Sequence, residues 1–279
     1  MATSANHPSP IRSAEEIWRK YDDMEQRLTA PVSERMCDLA GLRPGMRVLD
    51  LATGRGEPAI RAAHRVGPTG FVLGVDSAEA MLQMARERAT RECLTNLELR
   101  AINAESLEGV AEKDFEFVLA RWCLMYFTSP IAALVSARGA LIPGGKLVAA
   151  VWAEPERVSY FTVPRLALNK LTSLPPINFD VPGTFRYADK DRLRRDIASA
   201  GYTVHHIEEM ETDVMEAKTG IELIEWTRAF GMSRLLSDVP EEIQRAWEVE
   251  LLKQAAPLLK DGFFRLGGVT RLVIASADE

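Results

Sequence analysis

Several kinds of residue are scarce in this 279-residue chain, and each scarcity excludes a class of protein. The three cysteines, Cys37, Cys93 and Cys123, lie far apart, which argues against a disulfide framework or a zinc site. No apolar run approaches the ~18 residues of a membrane span, and no signal peptide is evident. The net charge of −6 presents no basic face to nucleic acid. We therefore expect a cytoplasmic protein that uses no metal and binds neither nucleic acid nor membrane.

What the chain does contain is a regular alternation of apolar strands and helices. Short segments that are apolar throughout, without alternation of apolar and polar residues, predict strands buried on both faces, as in a parallel sheet. Right-handed crossovers through the intervening helices then give a doubly wound α/β fold with a mostly parallel, seven-stranded, Rossmann-like sheet. The predicted strands are 46–51, 71–75, 97–101, 115–119, 146–152, 202–207 and 269–275.

The segments around this core predict additional parts. Two N-terminal helices are expected, at 14–28 with Ser13 as the cap, and at 32–40 with Gly41 at the end. A proline-rich stretch follows Trp152 and interrupts the alternation. The predicted divisions are a flexible tail (1–13), a helical lid (14–45), a core (46–152), a cap insertion (153–188) and the remainder of the core (189–279) with helical cap segments at 219–259.

The most informative motif is a turn with two glycines after the first predicted strand, where residues 48–56 read VLDLATGRG. Glycines allow positive φ and close approach of a ligand, and the helix that follows directs its N–H groups at the turn. Asp50, at the end of the strand, can hold a cationic amino group. Asp76 ends the next strand, 20 positions after Gly56, which is the spacing at which a carboxylate reaches a ribose diol. The same turn also satisfies the G-x-G-x-x-A pattern of dinucleotide-binding proteins, so NAD remains an alternative ligand at this point.

These motifs, with Asn103-Ala104-Glu105 and a Pro-Gly-Gly turn at 143–145, resemble a class I S-adenosylmethionine (SAM)-dependent methyltransferase. The resemblance is to the branch of the ubiquinone/menaquinone C-methyltransferases and, more narrowly, to natural-product C-methyltransferases of the teleocidin type. It implies SAM as the cofactor. It also implies positions around the methionine moiety, ribose, adenine and reacting methyl group, and these cofactor-binding residues are Asp50, Thr53, Gly54, Gly56, Asp76, Ser77, Met81, Asn103, Ala104, Glu105 and Arg121.

Two residues depart from the family pattern. Ala52 replaces the first glycine of D-x-G-x-G-x-G, which predicts a negative φ at that position. Asn103 stands where an Asp is common, and its amide oxygen can still accept a hydrogen bond. Met81 fits either the edge of the ligand or the core.

The predicted acceptor pocket is aromatic and lacks histidine. His7 lies in the predicted tail, and His64, His205 and His206 lie outside the segments that follow the fourth and fifth strands. Tyr21, on the apolar stripe of the first helix, is the candidate catalytic residue, although the stripe alone would also explain it as packing. The same stripe would allow a homo-oligomer. The predicted substrate-binding residues are Trp18, Trp122, Tyr126, Trp152, Phe161, Phe179 and Tyr187, and further aromatic candidates are Phe127, Tyr160, Phe185, Trp226 and Phe230.

These observations predict a methyltransferase that acts on carbon or oxygen of a small apolar or aromatic molecule. One alternative is an NAD-dependent oxidoreductase, although no Tyr-x-x-x-Lys pair follows the fourth strand. Another is a SAM-binding protein without catalytic activity.

Overall fold

The structure is a computed structural model that describes residues 14–278 as helices packed around one sheet. Within these residues, no helix combines the length and apolarity that crossing a membrane requires. The helices are α1 (Ala14–Ala40), α2 (Ala59–Val66), α3 (Glu79–Arg91), α4 (Pro130–Arg138), α5 (Ser159–Asn169), α6 (Lys190–Ser199), α7 (Gly220–Phe230), α8 (Ser233–Ser237) and α9 (Glu241–Ala255). The strands are β1 (Arg47–Leu51), β2 (Phe71–Asp76), β3 (Leu97–Ala101), β4 (Phe115–Arg121), β5 (Leu141–Trp152), β6 (Tyr202–Ala217), β7 (Leu259–Lys260) and β8 (Phe263–Ala277).

The sheet confirms the predicted fold class. Its strand order is β3-β2-β1-β4-β5-β8-β6, and the short β7 pairs with β8. Strands β1 to β5 are parallel, whereas β8 runs antiparallel to both β5 and β6. The order reverses between β1 and β4, so the chain segments that follow these two strands diverge at their carboxyl ends. In doubly wound sheets this switch point is where ligands bind.

Hydrophobic side chains fill both faces of the sheet. Along β1, Val48 belongs to one buried cluster and Leu49 and Leu51 to the other, as the two-residue repeat of a strand requires. Helix α1 contributes to both clusters, with Tyr21 on one side and Met36 on the other. It therefore extends from one core to the other, and its apolar stripe is buried or partly buried within its own chain.

The prediction of two N-terminal helices was wrong, because α1 is continuous through Pro31. A proline removes one backbone hydrogen bond inside a helix. Here the fully buried Val32 and Met36, just beyond it, pack the second half of the helix into the core and hold the helix together. Gly41 follows the helix with a φ of +65°, as predicted. The predicted cap Ser13 and the predicted tail 1–13 lie outside the described residues.

Several boundaries in the C-terminal half also differ from the predictions. The segment 153–188 contains the helix α5, with Pro164 inside it, and the helix predicted at 219–236 is interrupted at Gly231. Strand β5 begins at Leu141 and so includes the predicted Pro-Gly-Gly turn. Strands β6 and β8 pair from Tyr202 to Ala217 and are therefore more than twice as long as predicted. Beyond the reach of β5 they continue as a ribbon, and β7 adds a short third strand at its end.

Candidate active site

The turn after β1 is shaped by three residues with positive φ. The values are +50° at Ala52, +55° at Gly54 and +96° at Gly56. A Cβ at Gly56 would lie 2.6 Å from Ile60 Cδ1, so this position has no room for a side chain. A Cβ at Gly54 would meet only Met81 Sδ, at 3.9 Å, which leaves the backbone open on that side. The predicted negative φ at Ala52 was wrong. Alanine adopts the left-handed conformation here, which typically costs about 1–2 kcal/mol.

Asp50 provides an acidic group beneath this turn. Its Oδ2 accepts the N–H of Ala59 at 3.1 Å and so fixes the start of α2, and the residue is fully buried. Burial raises the pKa of Asp50 to about 7, an effect that the Arg121 guanidinium and the Ala59 N–H oppose only in part. Among residues 14–278, neither Asp50 Oδ1 nor Thr53 Oγ1 has a hydrogen-bond partner. These two buried oxygens are suited to accept hydrogen bonds from a cationic ammonium group.

Asp76 connects the end of β2 to the same turn. Its Oδ2 accepts the N–H of Gly54 and its Oδ1 accepts the N–H of Ala78, each at 2.8 Å. An ionised carboxylate has about four acceptor positions, so two remain for the hydroxyls of a ribose. Ser77 is exposed beside it, and Met81 is half-buried in the first turn of α3.

The turn after β3 brings together the three residues predicted at the adenine edge. Asn103 Oδ1 accepts the N–H of Glu105 at 2.9 Å, and Glu105 Oε2 accepts the N–H of Ser129 at 3.1 Å. Ala104 is buried between them. Because β3 lies next to β2, this turn lies on the Asp76 side of the switch point.

Arg121 and Trp122 lie at the end of β4, across the switch point. Arg121 Nη1 donates to Thr29 Oγ1 at 3.0 Å, and its guanidinium carbon lies 4.9 Å from the centre of the Trp122 ring. Trp122 has a φ of +52°, a strained conformation for a bulky residue. It is held by a hydrogen bond from its Nε1 to Thr270 Oγ1 at 3.2 Å.

Aromatic side chains continue from Trp122 in an unbroken series of contacts. The Trp122 and Trp152 rings are stacked, with centroids 4.6 Å apart and planes inclined by 10°. Tyr160 follows at 5.0 Å from Trp152, and Trp226 at 6.4 Å from Tyr160. Phe161 contacts Tyr160. The structure thus brings together three predicted substrate-binding residues (Trp122, Trp152 and Phe161) and four of the further aromatic candidates (Tyr160, Trp226, Phe185 and Phe230).

Phe179 and Tyr187 do not join this group. Phe179 is 43% exposed and lines a separate surface cavity of about 730 Å³ with Arg192. Tyr187 is buried, and its hydroxyl donates to Asp196 at 3.0 Å. Both had been predicted as substrate-binding because the segment that contains them follows Trp152, but that segment also packs against α6, and these two side chains lie on that side.

Helix α1 covers the site and is tied to it by charged groups. The Tyr21 hydroxyl donates to Glu225 Oε2 of α7 at 2.7 Å, and Lys20 pairs with the same carboxylate. Arg55, within the glycine turn, donates to Asp22 Oδ1 at 2.6 Å and also pairs with Glu25. Arg55 Nη1 also contacts the backbone oxygen of Trp18 at 3.4 Å, so Trp18 lies beside the turn.

Sequence reasoning missed the residues that link these elements, namely Asp22, Glu25, Thr270 and Glu225. No local motif distinguishes them, because each gains its role from a partner far away in sequence. The three described histidines are at the surface, where His64 contacts Glu92, His205 contacts Ser276 and His206 contacts Glu208. His7 lies outside the described residues.

Comparison with known proteins shows to which family this arrangement of residues belongs. Residues 42–165 match the family described as a methyltransferase domain, a stretch that includes the glycine turn, Asp76 and the Trp122–Trp152 stack. The chain carries a class I SAM-dependent methyltransferase domain. SAM is the cofactor of this domain, and it supplies a methyl group activated by a sulfonium. The unpartnered oxygens of Asp50 and Thr53 fit its amino group, and the remaining acceptor positions of Asp76 fit its ribose.

Individual relatives of the methyltransferase domain support the same assignment. Aklanonic acid methyltransferase DauC of Streptomyces sp. (strain C5) is 30% identical over 56% of this chain. The matched region spans 65% of the length of DauC. The ubiquinone/menaquinone biosynthesis C-methyltransferase UbiE of Shewanella oneidensis is 27% identical over 66% of this chain and 78% of its own length. A solved SAM-dependent methyltransferase of Aquifex aeolicus shares the fold, with a TM-score of 0.53 and 19% identity over 70% of this chain and 92% of its own.

Proposed function

We propose that this protein transfers the methyl group of SAM to a carbon atom of a small, largely apolar aromatic molecule, with oxygen as the alternative acceptor atom. The observation that carries this proposal is the aromatic series Trp122–Trp152–Tyr160–Trp226, which begins at the first residue after β4. Its position at the switch point of the sheet is where ligands of doubly wound folds bind. The relatives named as C-methyltransferases are consistent with carbon as the acceptor atom.

The chemistry of carbon methylation agrees with the side chains of the pocket. An electron-rich ring or prenyl double bond attacks the methyl carbon and acquires positive charge, which aromatic faces stabilise. The protein then needs to position the acceptor and exclude water more than to provide a strong base. The described histidines, the commonest general bases, all lie at the surface away from this pocket.

Tyr21 is our proposed catalytic residue for the proton that the acceptor loses. Its hydroxyl already donates to Glu225, so it can accept a proton from the acceptor while its own proton moves to the Glu225 carboxylate. The rest of α1, including Trp18, would close over the bound molecules in the manner of a lid.

The first experiment is calorimetric titration of the purified protein with S-adenosylhomocysteine (SAH), with NAD as the control ligand. We expect micromolar binding of SAH and none of NAD, and binding of NAD alone would overturn the proposal in favour of an oxidoreductase. The second is incubation with isotopically labelled SAM and a panel of prenylated and phenolic acceptors, with mass spectrometry of the products. Binding of SAH without transfer to any acceptor would favour a SAM-binding protein that lacks catalytic activity.

A further inference from the structure

Three hydroxyl groups meet at the far side of the Tyr160 ring. The Tyr126 hydroxyl lies 3.1 Å from Thr184 Oγ1, and the Tyr160 hydroxyl is a neighbour of both. They come from three separate segments, namely a helical turn after β4, the start of α5 and the loop before α6. We call them the hydroxyl cluster.

The loop that carries Thr184 is fixed in place by backbone contacts. Gly183 donates its N–H to the Met125 carbonyl at 2.9 Å, and Arg186 Nη1 donates to the Phe127 carbonyl at 2.5 Å. Thr184 itself is buried. The loop thus holds the Thr184 hydroxyl in a fixed, buried position, whereas the Tyr126 side chain that contacts it is 49% exposed.

The cluster adjoins the aromatic series at a defined point. Tyr160 packs between Trp152 and Trp226, so its ring is part of the apolar wall while its hydroxyl belongs to the cluster. A flat molecule that lies along the wall would therefore meet polar hydrogen atoms at this end. Tyr126 lies in the helical turn Leu124–Tyr126 directly after β4, which places the cluster near the carboxyl end of that strand, where the cofactor side of the site lies.

The hydroxyls are suited to donate hydrogen bonds. Burial raises the pKa of Tyr160 well above its usual value, so this hydroxyl remains neutral at physiological pH. Hydroxyl hydrogens rotate about the C–O bond, so at least one of the three can turn toward an oxygen atom of a ligand. A neutral donor group of this kind complements an acceptor-only oxygen and stabilises negative charge that develops on it.

We propose that Tyr126, Tyr160 and Thr184 form a binding site for the carbonyl oxygen of the methyl acceptor, which makes an aromatic ketone the preferred substrate class. This inference rests on the proposed function, since it assigns the acceptor to the same pocket. When the carbon next to such a carbonyl loses its proton to Tyr21, whose own proton moves to Glu225, the electron pair is shared with the carbonyl oxygen, and the hydroxyl cluster donates hydrogen bonds to that oxygen.

The test compares α-tetralone, an aromatic ketone, with tetralin, which has the same ring skeleton and no oxygen. Equilibrium dialysis measures the affinity of each for the SAH-saturated protein. We expect about tenfold tighter binding of α-tetralone, the discrimination that one or two neutral hydrogen bonds provide. In Tyr126→Phe, Tyr160→Phe and Thr184→Val the preference should fall to about threefold or less, while the affinity for tetralin stays within about twofold.

Tyr202→Phe is the matched control, because this buried tyrosine donates to the Leu134 carbonyl far from the cluster and should retain the full preference. Equal binding of both probes by the unaltered protein, binding of neither, or a preference that survives all three substitutions together overturns the inference. Failure of the proposed function is recognised separately, by the absence of SAH binding or of methyl transfer, and the dialysis then proceeds without SAH.

Discussion

Asp76 Oδ2 accepts the backbone N–H of Gly54 at 2.8 Å, which joins the end of β2 to the turn after β1. The residue proposed to bind the ribose thus also sets the shape of the turn proposed to bind the methionine moiety. The cofactor site is preorganised in this respect, and one substitution should disturb both of its halves.

Asp76→Ala should lower SAH affinity at least tenfold and the free energy of unfolding by about 2 kcal/mol. The variant loses the ribose contact and leaves the N–H groups of Gly54 and Ala78 without their acceptor. Calorimetric titration and urea unfolding measure the two effects. The control is Asp114→Ala, which removes an exposed ion pair with Arg47 and should change neither quantity appreciably. A normal SAH affinity in Asp76→Ala would contradict the assigned role.

SAH binding should weaken as the pH falls below about 7, by up to tenfold per pH unit. Burial raises the pKa of Asp50 from 3.8 to about 7, and a cationic amino group binds the ionised form. Calorimetry between pH 5.5 and 7.5, in buffers of different ionisation enthalpy, should detect the proton released on binding. In Asp50→Asn the affinity should be low and independent of pH. A pH-dependent affinity in that variant would assign the effect to another group.

The same pKa shift should make the free energy of unfolding fall as the pH rises. Between pH 4 and 7 the folded protein keeps a proton on Asp50 that the unfolded chain has released, so this contribution is present at low pH and is lost toward pH 7. Urea unfolding of the unaltered protein and of Asp50→Asn across this pH range isolates the contribution of Asp50. The difference in the free energy of unfolding between the two proteins should narrow steadily toward acid pH. A difference that stays constant would contradict the pKa shift.

Thr270→Val should lower the free energy of unfolding by about 1–3 kcal/mol and weaken acceptor binding. It leaves the Trp122 indole N–H without its partner at a residue that already has positive φ. Thr227→Val is the matched control, because Thr227 is equally buried and its hydroxyl has no hydrogen-bond partner within residues 14–278. Urea unfolding should show little change in the control, and equal losses in both variants would mean that the indole contact is unimportant.

Ala52→Gly should raise the free energy of unfolding by about 0.5–1 kcal/mol. Glycine removes the cost of a φ of +50°, and the gain exceeds its additional conformational entropy in the unfolded chain. Ala132→Gly, at an exposed position of α4, should act in the opposite direction. Thermal or urea unfolding of both variants decides the matter, and a loss of stability in Ala52→Gly would show that this residue is not strained.

Tyr21→Phe should lower kcat at least tenfold and leave SAH affinity within about twofold. The substitution removes only the hydroxyl that donates to Glu225. Lys20→Met removes the ion pair with the same carboxylate and should retain turnover, which separates a chemical role of the hydroxyl from general anchoring of α1. Unchanged turnover in Tyr21→Phe would mean that this tyrosine only packs α1 against the core and has no catalytic role.

The arrangement of the proposed cofactor-binding residues could be predicted from sequence because its signals are local. The glycine turn and Asp76 follow directly from two strands, and register places them together. Ala52 shows the limit of that reasoning, since a negative φ was expected and the structure has a φ of +50° there. The family pattern has a glycine at this position, which agrees with a positive φ, but the alanine in this sequence gave no sign of that backbone conformation.

The acceptor half could be predicted only in composition. The abundance of aromatic residues after Trp152 was evident from the sequence. Which of them join the aromatic series was not, because Phe161 and Tyr187 lie in similar sequence surroundings but pack on different sides of the same segment. Pro31 misled for a similar reason, since local propensity favoured a break and burial of Val32 and Met36 maintained the helix. Pairs such as Tyr21 and Glu225, 204 positions apart, lie beyond any local pattern.

The position of β8 between β5 and β6 has a consequence for how the protein is made. Both neighbours are synthesised earlier, yet neither can pair with the other, because the strand that joins them is Phe263–Ala277. A chain still emerging from the ribosome therefore holds β5 and β6 with open edges, which invite association with other chains. Assembly of this sheet should finish in one late step, and a chaperone that shields those edges would act during that interval.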